Sequence, residues 1–248
     1  MLFRQFHLIH QAARLAAVAA VAGTLSGCQA IISNPPLTQV RVIDASPDAP
    51  GLDIYQGSSA LAYNLGFGTV TSYVPLSPGI DTFTADSAGT KQVLTSSKAT
   101  LAASAQYTIL IGDVAASLQQ VILTDQSQAA PGGQIALRLI DQATRVGAVD
   151  IYLVPANQKL TAVNPLVTGV VFSTNTGYLN IPTGAYTLAI LPTGTVPTST
   201  TVATYSGTQV TYSAGAARTI ILIDQQLVTT PGLQVITADD FDSPTATS

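Results

Sequence analysis

After residue 27 this chain contains no histidine, tryptophan, glutamate or methionine, and its only cysteine is Cys28. Imidazole is the usual general base near neutral pH and the commonest transition-metal ligand. Its absence excludes Ser-His-Asp and Cys-His catalysis and zinc sites of the His/Cys type. A single cysteine cannot form an internal disulfide. We therefore expect a protein that is not an enzyme and carries no cofactor.

Charge is also scarce. Beyond residue 27, seven Lys and Arg stand against thirteen Asp, a formal net charge of −6. Nucleic-acid binding relies on Lys and Arg that neutralise phosphates, so a nucleic-acid partner is not expected. Catalysis by Asp alone stays open as a disfavoured alternative, an Asp-dependent hydrolase, which needs two carboxyl groups about 5–9.5 Å apart in a cleft.

The first 27 residues have the pattern of an export signal. Arg4 and Arg14 precede the apolar run "LAAVAAVAGTLSGC", which is too short to span a hydrocarbon core of ~30 Å. The final "LSGC" resembles a lipobox, the bacterial lipoprotein signal. That resemblance implies lipid on Cys28, hence a membrane partner and a cell-envelope location. Gln29 after the cysteine favours the outer membrane.

The remaining chain has the composition of an all-β protein. Short runs with alternating apolar residues are separated by Gly, Pro, Asn and Asp, and they lack a 3.6-residue period. We predict a tether at 28–37, two tandem antiparallel β-sandwich domains of immunoglobulin-like type at 38–127 and 134–240, and a frayed tail at 241–248.

Two halves of the sequence correspond in order, which indicates a duplicated domain. "VRVIDASPDAPGLDIY" at 40–55 corresponds to "LRLIDQATRVGAVDIY" at 137–152. The downstream matches are Tyr73 with Tyr178, "TILIGD" at 108–113 with "TIILID" at 219–224, and "QVILTD" at 120–125 with "QVITAD" at 234–239. The second copy has a longer loop around "ANQKLTAVNP".

The first copy resembles a known family through Arg41, "ASPDAP" at 45–50, "DIY" at 53–55, Tyr73 and "YTILIGD" at 107–113. This pattern is similar to the bacterial domain-of-unknown-function family 4397. The resemblance implies secreted or lipid-anchored tandem β-sandwiches and no established activity. The second copy departs from the pattern: "QATRVG" replaces "ASPDAP", and Arg218 replaces Tyr107.

The repeated arginine and aspartate suggest structural ion pairs. Because side chains alternate along a strand, Arg41 lies on the opposite face of its strand from Val40 and Val42. In the next strand, Asp53 and Tyr55 lie on the same face. If the two strands are neighbours, Arg41 pairs with Asp53. By the same reasoning Arg138 pairs with Asp150 in the second copy.

A cation site is the alternative for the same segment. Asp44, Asp48 and Asp53 lie within ten residues, and Ca²⁺ prefers such oxygen ligands. However, Asp48 aligns with Arg145, so the second copy inverts the charge at that position. Asp48 is otherwise expected to bond backbone amides of its turn. We favour the structural interpretation.

Aromatic residues offer a further alternative. Tyr55, Tyr63, Phe67 and Tyr73 could form a platform for sugars, although core and cross-strand packing is the favoured interpretation because tryptophan is absent. The sequence thus predicts a non-catalytic, lipid-anchored envelope protein that binds or assembles with an envelope protein or glycan. A calcium- or glycan-binding protein is the first alternative.

Overall fold

The structure, a computed structural model, describes residues 36–226 and 232–241. The described residues cluster as one compact unit. The predicted signal at 1–27, Cys28 and most of the tether lie outside the described residues, as do residues 242–248 of the predicted tail. In the part of the chain that is described, no helix combines the length and apolarity needed to cross a bilayer.

Sixteen strands are described, eight in each half. The first half contains β1 (Thr38–Asp44), β2 (Leu52–Gln56), β3 (Ser59–Leu65), β4 (Val74–Leu76), β5 (Gly79–Ser87), β6 (Val93–Leu101), β7 (Gln106–Gly112) and β8 (Gln119–Asp125). The second contains β9 (Gln134–Asp141), β10 (Val149–Pro155), β11 (Val167–Val170), β12 (Asn175–Pro182), β13 (Gly184–Pro192), β14 (Tyr205–Tyr212), β15 (Ala217–Asp224) and β16 (Leu233–Phe241). Short 3-10 helices occupy Ala115–Ser117 and Leu160–Ala162.

Each half is a sandwich of two four-stranded sheets, which confirms the predicted all-β tandem architecture. In the first sandwich the orders are β4-β1-β7-β8 and β3-β2-β5-β6. In the second they are β12-β9-β15-β16 and β11-β10-β13-β14. The pairing is not wholly antiparallel, since β1 pairs parallel with β7 and β9 pairs parallel with β15. These strands are far apart in the chain, so the crossover that a parallel pair requires is available.

The sheets containing β1 and β9 pack against each other, and we call them the interface sheets. Between them lies an apolar cluster drawn from both sandwiches: Ile43, Ala45, Leu110, Ile140, Ile221, Ile223 and Ala238. The sheets containing β2 and β10 are the outer sheets. Each sandwich also has its own core between its interface sheet and its outer sheet.

Alternation along β1 and β2 follows this layering. Val40 and Val42 pack in the core of the first sandwich, while Ile43 packs against the second sandwich. Both faces of β1 are therefore covered. On β2, Leu52 and Ile54 pack in the core. Because side chains alternate, Asp53 and Tyr55 lie on the outer face.

Candidate functional site

A buried polar network joins the two interface sheets. The guanidinium of Arg41 forms an ion pair with Asp240 of the second sandwich and donates to the carbonyl oxygen of Asp239 at 2.8 Å. Its Nε donates to Thr108 Oγ1 at 2.9 Å within the first sandwich. Arg41 and Asp240 are both almost completely buried. The arginine therefore links its own strand to the other sandwich.

The second sandwich makes the equivalent contacts to the first. Arg138 pairs with Asp125 of the first sandwich at 2.5 Å and donates to the carbonyl oxygen of Thr124 at 3.1 Å. Its Nε donates to Thr219 Oγ1 at 2.9 Å. Thr108 and Thr219 in turn donate to Asp125 and Asp240 at 2.5 and 2.7 Å. Two arginines and two aspartates thus form a neutral, reciprocal network.

A tyrosine completes each half of the network. Arg41 stacks over the ring of Tyr73 at 4.7 Å, and Arg138 over Tyr178 at 4.8 Å. Tyr73 donates to Asp125 at 2.7 Å, and Tyr178 donates to Asp240 at 2.9 Å. Burial is the main cause that raises the pKa of both hydroxyls well above the ordinary value. Both hydroxyls therefore stay protonated and act as donors.

The predicted Arg41–Asp53 and Arg138–Asp150 pairs are wrong. β1 and β2 are not neighbours but belong to different sheets of the sandwich. Arg41 points toward the other sandwich, whereas Asp53 lies on the outer face, with the ~10 Å core between the sheets. The condition on which the prediction rested, adjacent strands, is not met.

The aspartates of the two "DIY" motifs instead hold turns of the outer sheets. Asp53 accepts hydrogen bonds from the backbone N–H groups of Asn64 and Gly89 at 2.8 and 3.0 Å. Asp150 accepts from Gly169 and Gly194 at 2.9 and 3.0 Å, and from the Thr193 hydroxyl. All four amide donors have positive φ. Each carboxylate therefore stabilises two left-handed backbone positions.

The three aspartates of the proposed calcium site do not converge. Asp44 accepts from the Ser46 amide at 3.0 Å, and Asp48 accepts from the Ala115 amide at 2.8 Å. Asp53 is occupied as described above. Among residues 36–226 and 232–241, no three metal-ligating side chains of the His, Cys, Asp or Glu type come together. Asp44 ends β1 of the interface sheet, Asp48 lies in the loop after it, and Asp53 lies within β2 of the outer sheet, so the three carboxylates bond separate backbone amides.

The duplicated aspartates that end β1 and β9 are equivalent. Asp141 accepts from the Ala143 amide at 2.8 Å, as Asp44 does from Ser46. Burial raises the pKa of both carboxyls to about 6. Asp44 Oδ2 is buried without a hydrogen-bond partner among the described residues. These carboxyls lie at the ends of the two central strands of the interface.

The sequence alignment of "QVILTD" with "QVITAD" is wrong by one residue. Thr108 pairs with Leu123, and its equivalent Thr219 pairs with Ala238. Asp125 therefore corresponds to Asp240 and not to Asp239. The offset runs along the whole β15–β16 pair, since Leu222 pairs with Val235 where the equivalent Ile111 pairs with Gln120. A β-bulge between Ala217 and Arg218 then leaves Asp240 without a strand partner.

The four aromatics of the proposed platform separate into two groups. Phe67 packs in the apolar cluster between the sandwiches, and Tyr73 belongs to the buried network. Tyr55 and Tyr63 lie on the outer sheet of the first sandwich, with ring centroids 6.2 Å apart in an edge-to-face arrangement. Tyr63 is 70% exposed. Only this pair is placed where a ligand in solution could stack.

A shallow groove of about 440 Å³ lies beside this pair. We call it the outer groove, and its lining is Tyr55, Gly57, Ser58, Thr84, Asp86, Lys91 and Val93. Burial, followed by the charges of Asp53 and Asp86, raises the pKa of the Tyr55 hydroxyl. The outer groove therefore combines an aromatic face with hydroxyl, carboxylate and ammonium groups.

The equivalent face of the second sandwich is covered. Tyr152, the counterpart of Tyr55, is 3% exposed and clusters with Val154, Ala189 and Leu191. Leu160, Val163 and Ala203 pack over this cluster. The first two come from the longer loop that the sequence comparison detected. The insertion therefore converts the outer face of the second sandwich into a small additional core.

A second cavity, about 240 Å³, lies where the two divergent loops meet. Pro47, Asp48, Val114, Thr144, Arg145 and Gln226 line it. Asp48 and Arg145, the residues with inverted charge, thus face one cavity. Both are engaged there, since Arg145 donates to the carbonyl oxygen of Gln225 at 2.5 Å and Asp48 accepts from Ala115. Gln226 also donates to the carbonyl oxygen of Pro47 at 3.1 Å, so this contact links the two sandwiches.

A family model described as "Domain of unknown function (DUF4397)" matches residues 38–152 and 154–248. The chain belongs to this family. Among curated proteins, none matches the chain. The family's description assigns no activity.

One solved structure is similar in part, the crystal structure of CBMbc (family CBM26) from Eubacterium rectale Amy13K in complex with maltoheptaose. The likeness covers 84% of this chain and 98% of that chain, at 8% identity and a TM-score of 0.22. At that TM-score the likeness carries no argument about the ligand of this chain.

Proposed function

We propose that this protein is a non-catalytic binding module of the cell envelope, anchored by lipid on Cys28, whose outer groove binds a neutral glycan. The observation that carries the proposal is the contrast between the two outer sheets. Tyr55 lines an open groove beside the exposed Tyr63, whereas the equivalent Tyr152 is buried under a loop. One copy of the duplicated domain therefore keeps an accessible aromatic face.

The chemistry of the outer groove fits a sugar chain. A pyranose ring presents an apolar C–H face, which packs on an aromatic ring, and a rim of hydroxyls that need hydrogen-bond partners. Tyr55 and Tyr63 offer the first kind of contact. Ser58, Thr84, Asp86 and Lys91 offer the second. An open, shallow groove also suits a chain that extends beyond the site at both ends.

The same geometry argues against the hydrolase alternative. Asp86 lines the groove, and Asp53 is its partner across β2 and β5. Both oxygens of Asp53 already accept backbone N–H groups. A glycosidase needs two functional carboxyls, and Asp53 serves a structural role. Binding without turnover is the function that this arrangement supports.

Titration calorimetry with neutral oligosaccharides tests the proposal. Cellohexaose, mannohexaose and laminarihexaose are suitable probes, with hexagalacturonate as the acidic comparison. We expect binding of at least one neutral probe and about two- to tenfold weaker binding by Tyr63→Ala, since an aromatic contact contributes roughly 0.5–1.5 kcal/mol. Tyr152→Phe is the control and should bind as the wild type does. No binding of any neutral probe would overturn the proposal.

The lipid anchor has a separate test. Mass spectrometry of the protein purified from membranes should show an N-terminal Cys28 that carries three acyl chains. Two or more chains hold a protein firmly on a bilayer, so Cys28→Ser should move the protein into the soluble fraction. An unmodified Cys28 in membrane-bound protein would contradict the anchor and leave glycan binding unaffected.

A protein partner on the same face is the second candidate. Ile80 and Val93 are 68% and 53% exposed on the outer sheet that carries Tyr63. A contiguous exposed apolar patch is typical of interaction surfaces, whereas single exposed residues are ordinary, so Ile80 is the position that tests this candidate. Crosslinking in membranes distinguishes the two, because Ile80→Ser should abolish a protein crosslink and leave binding of the oligosaccharide probes intact.

A further inference from the structure

Asp86 is the one lining residue of the outer groove that combines deep burial with an unused oxygen. The residue is 8% exposed, and its Oδ1 is buried without a hydrogen-bond partner among the described residues. Its strand neighbour Asp53 has both oxygens satisfied. Lys91 lines the same groove but forms no ion pair with Asp86 within 4.0 Å in the part of the chain described.

Such a group is unfavourable for folding. A buried carboxylate that lacks a partner loses its hydration without compensation. The second sandwich avoids this cost, because Leu191 occupies the equivalent position opposite Asp150 and packs in the covered cluster. In the first sandwich the equivalent position, opposite Asp53, is an aspartate that lines an open groove. The position is therefore an aspartate in the copy whose outer face is open and a leucine in the copy whose outer face is covered.

We propose that Asp86 determines specificity in the outer groove by accepting a hydrogen bond from a hydroxyl of a sugar unit stacked beside Tyr55. This inference rests on the proposed function and names the contact that selects the ligand. The carboxylate favours a hydroxyl donor and disfavours a uronate carboxylate at the same place. Lys91 at the rim donates to a neutral sugar oxygen. The selected class is therefore a neutral glycan with a free hydroxyl above Asp86.

The decisive variants are Asp86→Leu, which copies the second sandwich, and Asp86→Asn, which keeps the size and one acceptor. We expect Asp86→Leu to weaken binding of the preferred neutral hexasaccharide by about tenfold to hundredfold, the range for a hydrogen bond to a charged group. Asp86→Asn should weaken binding of the hexasaccharide less than Asp86→Leu does. The melting temperature should stay the same or rise in both, because an unpartnered buried carboxylate is removed.

Deoxy analogues of that hexasaccharide provide a readout that a structural role would not change. One deoxy position should weaken binding to the wild type and leave binding to Asp86→Leu unchanged, because the lost hydroxyl has no partner in the variant. Equal losses in both proteins at every position would overturn the inference, as would wild-type affinity in Asp86→Leu or a large drop in its melting temperature.

The failure of this inference is distinguishable from the failure of the proposed function. If Asp86→Leu binds as the wild type does while Tyr63→Ala does not, the groove binds glycans and Asp86 does not select them. If the wild type binds no neutral probe, both are overturned. Preference for hexagalacturonate, with strong dependence on salt, would overturn the neutral class and the assignment of Asp86 as its acceptor.

Discussion

The two sandwiches agree where they meet and differ where they face away from each other. At the interface, Arg41, Thr108 and Asp125 have counterparts in Arg138, Thr219 and Asp240, with nearly equal distances. On the outer sheets, Thr84 and Asp86 correspond to Ala189 and Leu191. The duplication has therefore retained the contacts that join the copies, while the outer faces have diverged into an open groove and a covered cluster.

This contrast explains why the charge of the loop after β1 can invert. Arg41 and Arg138 bind across the interface and depend little on "SPDAP" or "ATRVG". The two loops meet at the second cavity, where Asp48 accepts from a backbone amide and Arg145 pairs with Asp224 and donates to a backbone carbonyl oxygen. A shared arginine and a divergent loop are thus compatible, because they belong to separate sets of contacts.

Breaking the network should have the largest effect. Arg41→Ala leaves Asp240 buried without its cation, so we expect a loss of about 3–5 kcal/mol in the free energy of unfolding. Arg138→Ala should lose a similar amount, because its contacts are equivalent. Urea unfolding of both variants measures this. Lys98→Ala, at an exposed position, is the control and should change stability by less than ~0.5 kcal/mol.

If the free energies of unfolding of the two arginine variants differ widely, the two halves of the network contribute unequally to stability although their geometry is equivalent. The same experiment reports cooperativity. The network spans both sandwiches, so a single unfolding transition is expected in the wild type. Two separate transitions would show that the sandwiches are independent despite the shared network.

The outer sheets should respond unequally. Tyr152→Ala removes an aromatic ring that is buried beneath Leu160 and Val163, so we expect a loss of roughly 3–4 kcal/mol. Tyr63→Ala removes an exposed ring and should cost less than ~1 kcal/mol. Thermal unfolding measures both. Similar losses would mean that the Tyr63 ring is packed as tightly as the Tyr152 ring, which would remove the contrast on which the proposed function depends.

The sequence identified the architecture because its signals are local. Short runs rich in Val, Ile and Leu at β1, β7, β9 and β15 predict strands, and the repeated order of the segments predicts the duplication. The edge strands of the outer sheets, β3, β6, β11 and β14, have the weakest signals in the sequence. One side of each pairs with no strand, and exposed polar residues weaken the alternation.

The site was predictable only in part. The pairing of Tyr55 with Tyr63 on an exposed face is one half of the platform considered from the sequence. The partner of Arg41 lies 199 residues away, and only the packing of one sandwich on the other brings it close. Asp86 gave no signal by itself. An alignment of Asp86 with Leu191 would have shown that an outward-facing position is polar in one copy and apolar in the other.

Buried carboxyls at the interface offer a smaller and pH-dependent effect. The pKa of Asp44 is about 6 in the folded protein, against an ordinary value of 3.8, because burial disfavours its charge. The contribution of Asp44 to stability is therefore greatest below pH 3.8, where the group is protonated in both states, and is lost as the pH rises through 6. Asp44→Asn should stabilise by about 1–3 kcal/mol above pH 7 and by almost nothing near pH 4.

Asp141→Asn is the matched variant, since Asp141 has the same shift from the same main cause. Urea unfolding at pH 4 and pH 8 gives the comparison for both. An equal gain at the two pH values would show that the amide acts through packing and not through the removal of a buried charge. A gain in stability in only one variant would show that burial disfavours the charge of one carboxyl and not of the other.

The smallest effect tests what the outer sheets still share. Asp53 and Asp150 each hold a glycine, Gly89 with φ 72° and Gly194 with φ 81°. A Cβ at either position meets nothing within 4 Å, so Ala is disfavoured only by its backbone conformation. We expect Gly89→Ala and Gly194→Ala to lose about 1–2 kcal/mol each.

Gly132→Ala is the control for this pair, because a Cβ there also meets nothing within 4 Å and its φ lies outside the positive range. It should be neutral or slightly stabilising, since Ala restricts the unfolded chain. Matching losses at Gly89 and Gly194 would show that the carboxylate-held turns are common to both copies, although one outer face is open and the other is covered. A loss at only one glycine would mean that divergence of the outer sheets extends to their backbone.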